Sequence, residues 1–281
     1  MMIAENFKKQ YQLKAIFVFG VAMLILLNRW WSDALFYAMK QPLFLFEQKE
    51  MFYQFLLWSH IPQWLTGSVA TAVLFDVMLF AMPVLFLITL NRIYAIAFFL
   101  LLVIYFFTYN LVTGHHYHSL VGVVVIAVPF FTKNETRFNL LWETVRYYCL
   151  YIFASASLWK IFRCSAFYAD QLSNILKPQQ LDFLLQQPDS FQAHIVEYLI
   201  AHPHTSHIVL MANVLVQLSF MVGFFTKKFD HLLFVLAVVF CIANYMVMNI
   251  VSAELLILNL TLLNWEKVEI QLLKSFKLFR S

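Results

Sequence analysis

The chain has 281 residues, of which 62% are hydrophobic and only 12% charged, and its mean hydropathy is +0.74. A soluble domain carries about 25% charged residues, so composition excludes an ordinary soluble fold, and continuous rather than alternating apolar runs exclude a lipid-facing barrel. The net charge of +4 is spread between apolar runs instead of gathered in one patch, which argues against nucleic acid as a partner and turns the basic residues into topological markers.

At about 20 apolar residues per crossing, spans are expected near residues 12–30, 65–90, 92–112, 115–131, 138–162, 206–226, 229–248 and 250–265. The expected fold class is all-α, a polytopic helical membrane bundle forming a single membrane domain over 1–281, with about eight transmembrane helices. Seven is the alternative. The fourth segment is short and ends at Pro129, and the last two are divided only by Asn249, so either reads equally as a broken or re-entrant segment. The apolar run after Lys8, Lys9 and Lys14 is too long for a signal-peptide core, so the first span is expected to be retained.

Lys and Arg accumulate on the cytoplasmic side of a membrane. With the amino terminus inside, Lys8, Lys9, Lys14, Arg92, Lys133, Arg137, Lys227, Lys228, Lys267, Lys274, Lys277 and Arg280 fall inside, against Arg29, Lys40, Lys49, Arg163 and Lys177 outside. Both termini are therefore expected in the cytoplasm, with 266–281 as a short cytoplasmic tail and a bacterial inner (plasma) membrane as the setting. Two outer segments, 31–63 and 163–205, are too long for simple loops. The first is rich in Phe, Trp and Tyr and should lie in the interface. In the second, Pro178 suits the first turn of a short helix, and Asp189 with Gln192 reads as a capping box opening another that stops before Pro203. The runs LDFLLQQ and FQAHIVEYLIA look amphipathic and are expected to cover the outer mouth. Cys149, Cys164 and Cys241 form no CxxC and read as packing residues.

Ionisable residues inside a membrane are functional candidates. Asp76 and Arg146 lie within spans, and the plain reading is a structural polar pair bridging helices, with Glu143 one turn from the arginine; a proton or ion path is the alternative. Lys160 follows the small-residue run Ala154, Ser155, Ala156, Ser157, which lets a ligand or a helix approach closely. Burial disfavours an ammonium charge, so a lysine in such a pocket can act as a base, whereas one near headgroups can simply snorkel. His60, His115, His116, His118, His194, His202, His204 and His207 all fall on the outer side, and only His231 falls inside. Such imidazoles can bind metal, relay protons or sense acid, or be ordinary interfacial residues. No HExxH or comparable ligand set is present, so no metal is assigned. Glu254, Asn244 and Asn249 fall in the outer half and either complete a polar cavity or hydrogen-bond helices together.

The stretch TGHHYHSL resembles the Asn-Asn-His-aromatic turn of the HTTM (horizontally transferred transmembrane) domain family, which includes the membrane part of vitamin K-dependent gamma-carboxylases. His116 and Tyr117 match, and His115 replaces an asparagine. ASASLWKIF is similar to the family's small-residue run followed by lysine, with Lys160 at the lysine position, and the run from His231 to Leu260 resembles the closing helices. The resemblance covers roughly Phe17 to Trp265. It implies Lys160 as a catalytic base and His116 as its partner beside a quinol-like or lipid-like ligand, with His115, Tyr117, His118, Glu254 and Asn249 as binding candidates. The large soluble region that holds a polypeptide substrate in the carboxylases is absent here, so glutamate carboxylation is not expected. Three functions stay open: this enzyme, with membrane lipids around it and no cofactor assigned beyond a quinol-like ligand; a non-catalytic subunit docking a membrane or periplasmic protein through its aromatic outer surface; and, less well supported by any repeat or broken-helix pair, a transporter.

Overall fold

The computed structural model describes residues 2–39, 51–113, 121–249 and 253–270, and every regular element among them is helical. In chain order these are α1 (Met2–Trp31), a 3-10 turn (Phe36–Ala38), α2 (Met51–Ser59), α3 (Ile61–Thr66), α4 (Val69–Thr89), α5 (Arg92–Thr113), α6 (Val121–Ile126), a 3-10 turn (Val128–Phe131) and α7 (Glu135–Phe162). Then follow a 3-10 turn (Ser165–Phe167), α8 (Gln171–Gln179), α9 (Leu181–Gln186), α10 (Phe191–Ala201), α11 (Pro203–Ser219), a 3-10 segment (Phe220–Phe224), α12 (Asp230–Met248), α13 (Ala253–Leu256) and a 3-10 segment (Ile257–Leu262).

Among the described residues, five stretches are long and apolar enough to cross a membrane: Asn6–Ala38, Val69–Thr89, Arg92–Val112, Pro203–Phe224 and Asp230–Met248. They match five of the eight expected spans. The other three differ for separate reasons. The segment at 115–131 is described only from residue 121, as the short apolar stretch Val121–Phe131. That at 138–162 lies in α7, 28 residues long and so about 42 Å, but Glu135, Arg137, Glu143, Arg146 and Lys160 make it too polar to qualify on composition. The segment at 250–265 is helical over Ala253–Leu256 and 3-10 over Ile257–Leu262, only about 18 Å against a hydrocarbon core of about 30 Å. Residues 250–252 of that segment lie outside the described residues.

Contacts divide the chain into two compact units, Met1–Glu143 with Asn264–Ser281, and Thr144–Leu263. In the first, α1 buries one stripe, Tyr11, Ala15, Val18, Phe19, Ala22, Ile25 and Leu26, whose spacing of three and four residues is that of one helix face. Its opposite face exposes Ile16, Leu24 and Leu27, apolar side chains that suit lipid. Between ring centroids, Phe19 meets Phe86 at 4.4 Å in a tilted pair, and meets Phe130 at 5.2 Å, as Phe130 meets Phe138 at 5.4 Å, edge to face, so the core is an aromatic cluster. Ser68 caps α4 by accepting from the Thr71 amide, and Asn91 Oδ1 accepts from the Ile93 amide as α5 starts, so two residues suffice to reverse the chain.

In the second unit, Leu172, Leu176, Val196 and Leu199 of α8 and α10 pack against Val209 and Leu210 of α11 and Val247 and Met248 of α12. The expected amphipathic helices are thus present, with two corrections. Pro178 lies at the end of α8 rather than the start of a helix, and α10 is capped by Ser190, whose oxygen accepts from the Ala193 amide, one residue later than the Asp189 capping box. Ser190 has the extended backbone that a capping residue needs.

Candidate functional site

The two charges expected to pair each have other partners. Asp76 on α4 is 6% exposed and accepts from the backbone amides of Phe36 (3.3 Å) and Tyr37 (2.8 Å), the free donors that open the 3-10 turn after α1. Tyr105 on α5 donates to the Ala34 carbonyl at 2.6 Å, and the Arg29 guanidinium donates to the Tyr105 hydroxyl at 3.4 Å and lies 4.7 Å from the Tyr109 ring. The turn is therefore fastened from both α4 and α5. Arg146 on α7, 1% exposed, binds Asp230 through Nε (2.8 Å) and Nη2 (2.6 Å) and also donates to the Gly223 carbonyl at 2.9 Å. The expected Asp76–Arg146 bridge gives way to these two arrangements, because each group meets a geometric match within its own unit: paired amides for the carboxylate, and a planar carboxylate for the guanidinium. Asp230 is the first residue of α12, where a negative charge also favours the helix dipole.

Gly223 suits this second arrangement. A β-carbon there would lie 2.5 and 2.9 Å from the Leu150 methyls, so a larger residue would have to displace that side chain where the backbone offers Arg146 its carbonyl. Farther along α7, Phe153 stacks on Phe220 at 4.2 Å, and Cys149 donates to Asn259 Oδ1 at 3.2 Å. None of the three cysteines is in a disulfide; Cys149 and Cys241 are buried, whereas Cys164 is exposed.

Lys160, half-buried, donates from Nζ to Gln217 Oε1 at 2.9 Å. Gln217 is 4% exposed and comes late in α11, about 21 Å along the axis from Pro203. The lysine head thus turns into the interior of its unit instead of reaching along the surface. One turn back from Gln217, Asn213 donates to Asn244 Oδ1 of α12 at 3.4 Å, so two amide contacts share one side of α11. Among the described residues Lys160 has no carboxylate within ion-pair distance. Ser157, one turn before Lys160 and fully buried, returns its hydroxyl to the Ala154 carbonyl and leaves the small-residue stripe apolar in character.

The remaining candidates separate. His115, His116, Tyr117 and His118 lie outside the described residues. Glu254 is 5% exposed, within α13. Asn249 takes the left-handed conformation (φ 53°, ψ 32°) that ends α12, its amide donating to the Tyr245 carbonyl at 3.0 Å. His202 stacks on Tyr198 at 4.2 Å, with Nδ1 2.9 Å from the Tyr198 carbonyl, and His207 buries Nδ1 without a partner among the described residues. No group of three or more His, Cys, Asp or Glu among the described residues is placed to hold a metal. Gln217 and Asp230 escaped sequence reasoning. Gln217 left a signal, an amide inside the apolar run VLVQLSF, whereas Asp230, at the start of the expected span 229–248, was not singled out.

Fold and site together define a helical protein with multiple apolar helices of membrane-crossing length. Comparison with protein-family models, with curated proteins and with solved structures finds no match.

Proposed function

We propose that the chain is a multi-pass protein of the bacterial inner membrane, of the HTTM type, with both termini cytoplasmic and a base-catalysed site facing the outer side. Lys160 is the base, His116 its hydrogen-bonding partner, and the ligand a quinol-like or lipid-like molecule. His115, Tyr117 and His118, which lie outside the described residues, and Glu254 and Asn249 are its proposed binding residues. Eight crossings are retained in this reading, with α7 as the fifth.

The contact between Lys160 and Gln217 carries the proposal. A neutral amide oxygen accepts from an amine or an ammonium alike, so it orients Nζ without supplying the countercharge that would hold the proton there. A lysine kept only for stability inside a helical bundle would be expected beside a carboxylate, as Arg146 is beside Asp230.

The test is an anaerobic difference spectrum of the protein in nanodiscs with a reduced short-chain menaquinone. The wild type is expected to give the quinolate signature as Lys160 takes the hydroxyl proton. Lys160→Arg keeps the charge but has no accessible neutral form, so it should bind the quinol and leave it protonated. Lys160→Ala should lose the signature while the protein stays inserted and folded, at a cost of about 1–3 kcal/mol for the stranded Gln217 oxygen; a full quinolate signal in that variant would remove the proposal.

The second reading, a non-catalytic subunit, draws on exposed Phe55, Trp58 and Trp64 of α2 and α3. It predicts a mild effect of Lys160→Ala and a protein crosslinked to these aromatics in native membranes. A chain that crosslinks to nothing there counts against it.

A further inference from the structure

At the carboxyl end of α12 a cleft of about 480 Å³ opens between that helix and α8–α10. Its volume is in the range of small-molecule sites, ~300–1,000 Å³. The walls are unusual in chemistry. Gln179, Gln180, Gln186, Gln187 and Gln192 all face it, with Asn249 from α12, and Asp182 is the one charged side chain of the lining. Phe183 and Tyr245 supply two aromatic rings.

Two of these amides are already fixed. Gln180 donates from Nε2 to the Met248 carbonyl at 2.7 Å and Gln192 to the Tyr245 carbonyl at 2.8 Å, which leaves each amide oxygen as an acceptor held in place by its own nitrogen. Gln179, Asp182, Gln186 and Gln187 are exposed and make no side-chain hydrogen bond among the described residues. A recognition surface of this kind has part of its ordering cost met before any ligand arrives.

The lining has no Lys, Arg or His, so an anion would meet only a carboxylate and has nothing to neutralise it. Nor is it an acyl-chain site, since polar surface dominates it. Primary amides donate and accept in one plane, as hydroxyl groups donate and accept, and a lone carboxylate accepts from two neighbouring hydroxyls. Aromatic rings offer electron-rich faces to the weakly positive C–H faces of a sugar. We infer that the cleft binds a neutral polyhydroxyl group, a sugar ring or comparable polyol. Its place at the end of a helix of membrane-crossing length sets it at headgroup level, where the same chemistry arrives either as a glycolipid headgroup or as a free sugar from water.

The experiment uses the full chain in phosphatidylcholine nanodiscs containing either monoglucosyl diacylglycerol or phosphatidylglycerol, read by native mass spectrometry for retained lipid, and methyl glucoside read by saturation-transfer NMR. Retention of the glucosyl lipid over both phospholipids, reduced about tenfold in Asp182→Ala/Gln186→Ala, supports the inference with a lipid source. A methyl glucoside signal lost in the same variant supports it with a soluble source. Both residues are exposed and fasten nothing, so the variant should keep the wild-type unfolding midpoint; Gln187→Ala, equally exposed, serves if it does not. Preference for phosphatidylglycerol, no glucosyl binding in either arm, or binding unchanged in the variants overturns it. Lys160→Ala, which does not line the cleft, should keep the wild-type signal, so this result and that of the quinol test are independent.

Discussion

A single side chain decides more in this protein than its size suggests when it is charged and buried. Arg146 is held on two nitrogens by Asp230, and removing that carboxylate would strand a guanidinium that is 1% exposed. Asp230→Ala should cost about 3–5 kcal/mol of stability, the range for breaking one side of a buried pair. The double change Arg146→Met/Asp230→Leu should recover most of it, because the loss lies in the uncompensated charge rather than in the missing attraction. Thermal unfolding of the purified protein in detergent measures both, and a double variant as unstable as the single one would refute the argument. The sequence made Arg146 legible as a residue that needs a partner. It did not make the partner legible, since Asp76 and Asp230 are both carboxylates a plausible number of spans away and only packing shows that Asp76 faces the amides of Phe36 and Tyr37.

Helix ends carry the next layer. α12 stops where Asn249 turns into the left-handed region, a conformation Asn tolerates and alanine does not. Asn249→Gly should leave stability unchanged, and Asn249→Ala should lower it by about 1–2 kcal/mol; a large loss in the glycine variant would mean the side chain matters more than the turn. The carbonyls just before this end are taken by Gln180 and Gln192, so α8–α10 are tied to α12 by polar contacts in addition to the Leu172, Leu176, Val196 and Leu199 cluster. Gln180→Ala should cost about 1–2 kcal/mol and, more tellingly, speed hydrogen exchange throughout α8 and α9 while α11 stays protected. Amphipathic periodicity disclosed that these helices exist. It was silent about where they dock, because the glutamines that dock them read in one dimension as ordinary solvent-facing residues.

For the whole molecule, hydropathy located four of the five membrane-length stretches among the described residues to within four residues and the first, Asn6–Ala38, to within eight, and left three segments ambiguous. The ambiguity has a physical source in each case: charge within α7, brevity in Val121–Phe131, and the switch from α to 3-10 geometry in 253–262. The family-like pairing of Lys160 with His116 was read from two short motifs. The partner the lysine has among the described residues, Gln217, lies 57 residues on and belongs to no motif. Orientation can be read from the native cysteines. Cys149 and Cys241 are buried and Cys164 is exposed just beyond α7, so a membrane-impermeant maleimide added to intact cells should label Cys164 and spare the other two. Labelling that requires lysis of the cells would invert the proposed topology.

The fastening of Asp76 bears on how the chain is made. The amides of Phe36 and Tyr37 are synthesised 40 and 39 residues before the carboxylate that accepts from them. A bare aspartate at the centre of an inserting helix costs about 2.5–3.5 kcal/mol, and the opening amides of the turn are equally unsatisfied until it arrives. Each is the other's remedy, so α4 should enter the bilayer as a pair with the end of α1 and not as an independent stem. At ribosomal speeds of about 5–20 residues per second, the first helix waits a few seconds for its fastening, and an Asp76→Leu chain, although easier to insert, would emerge with that turn unsecured.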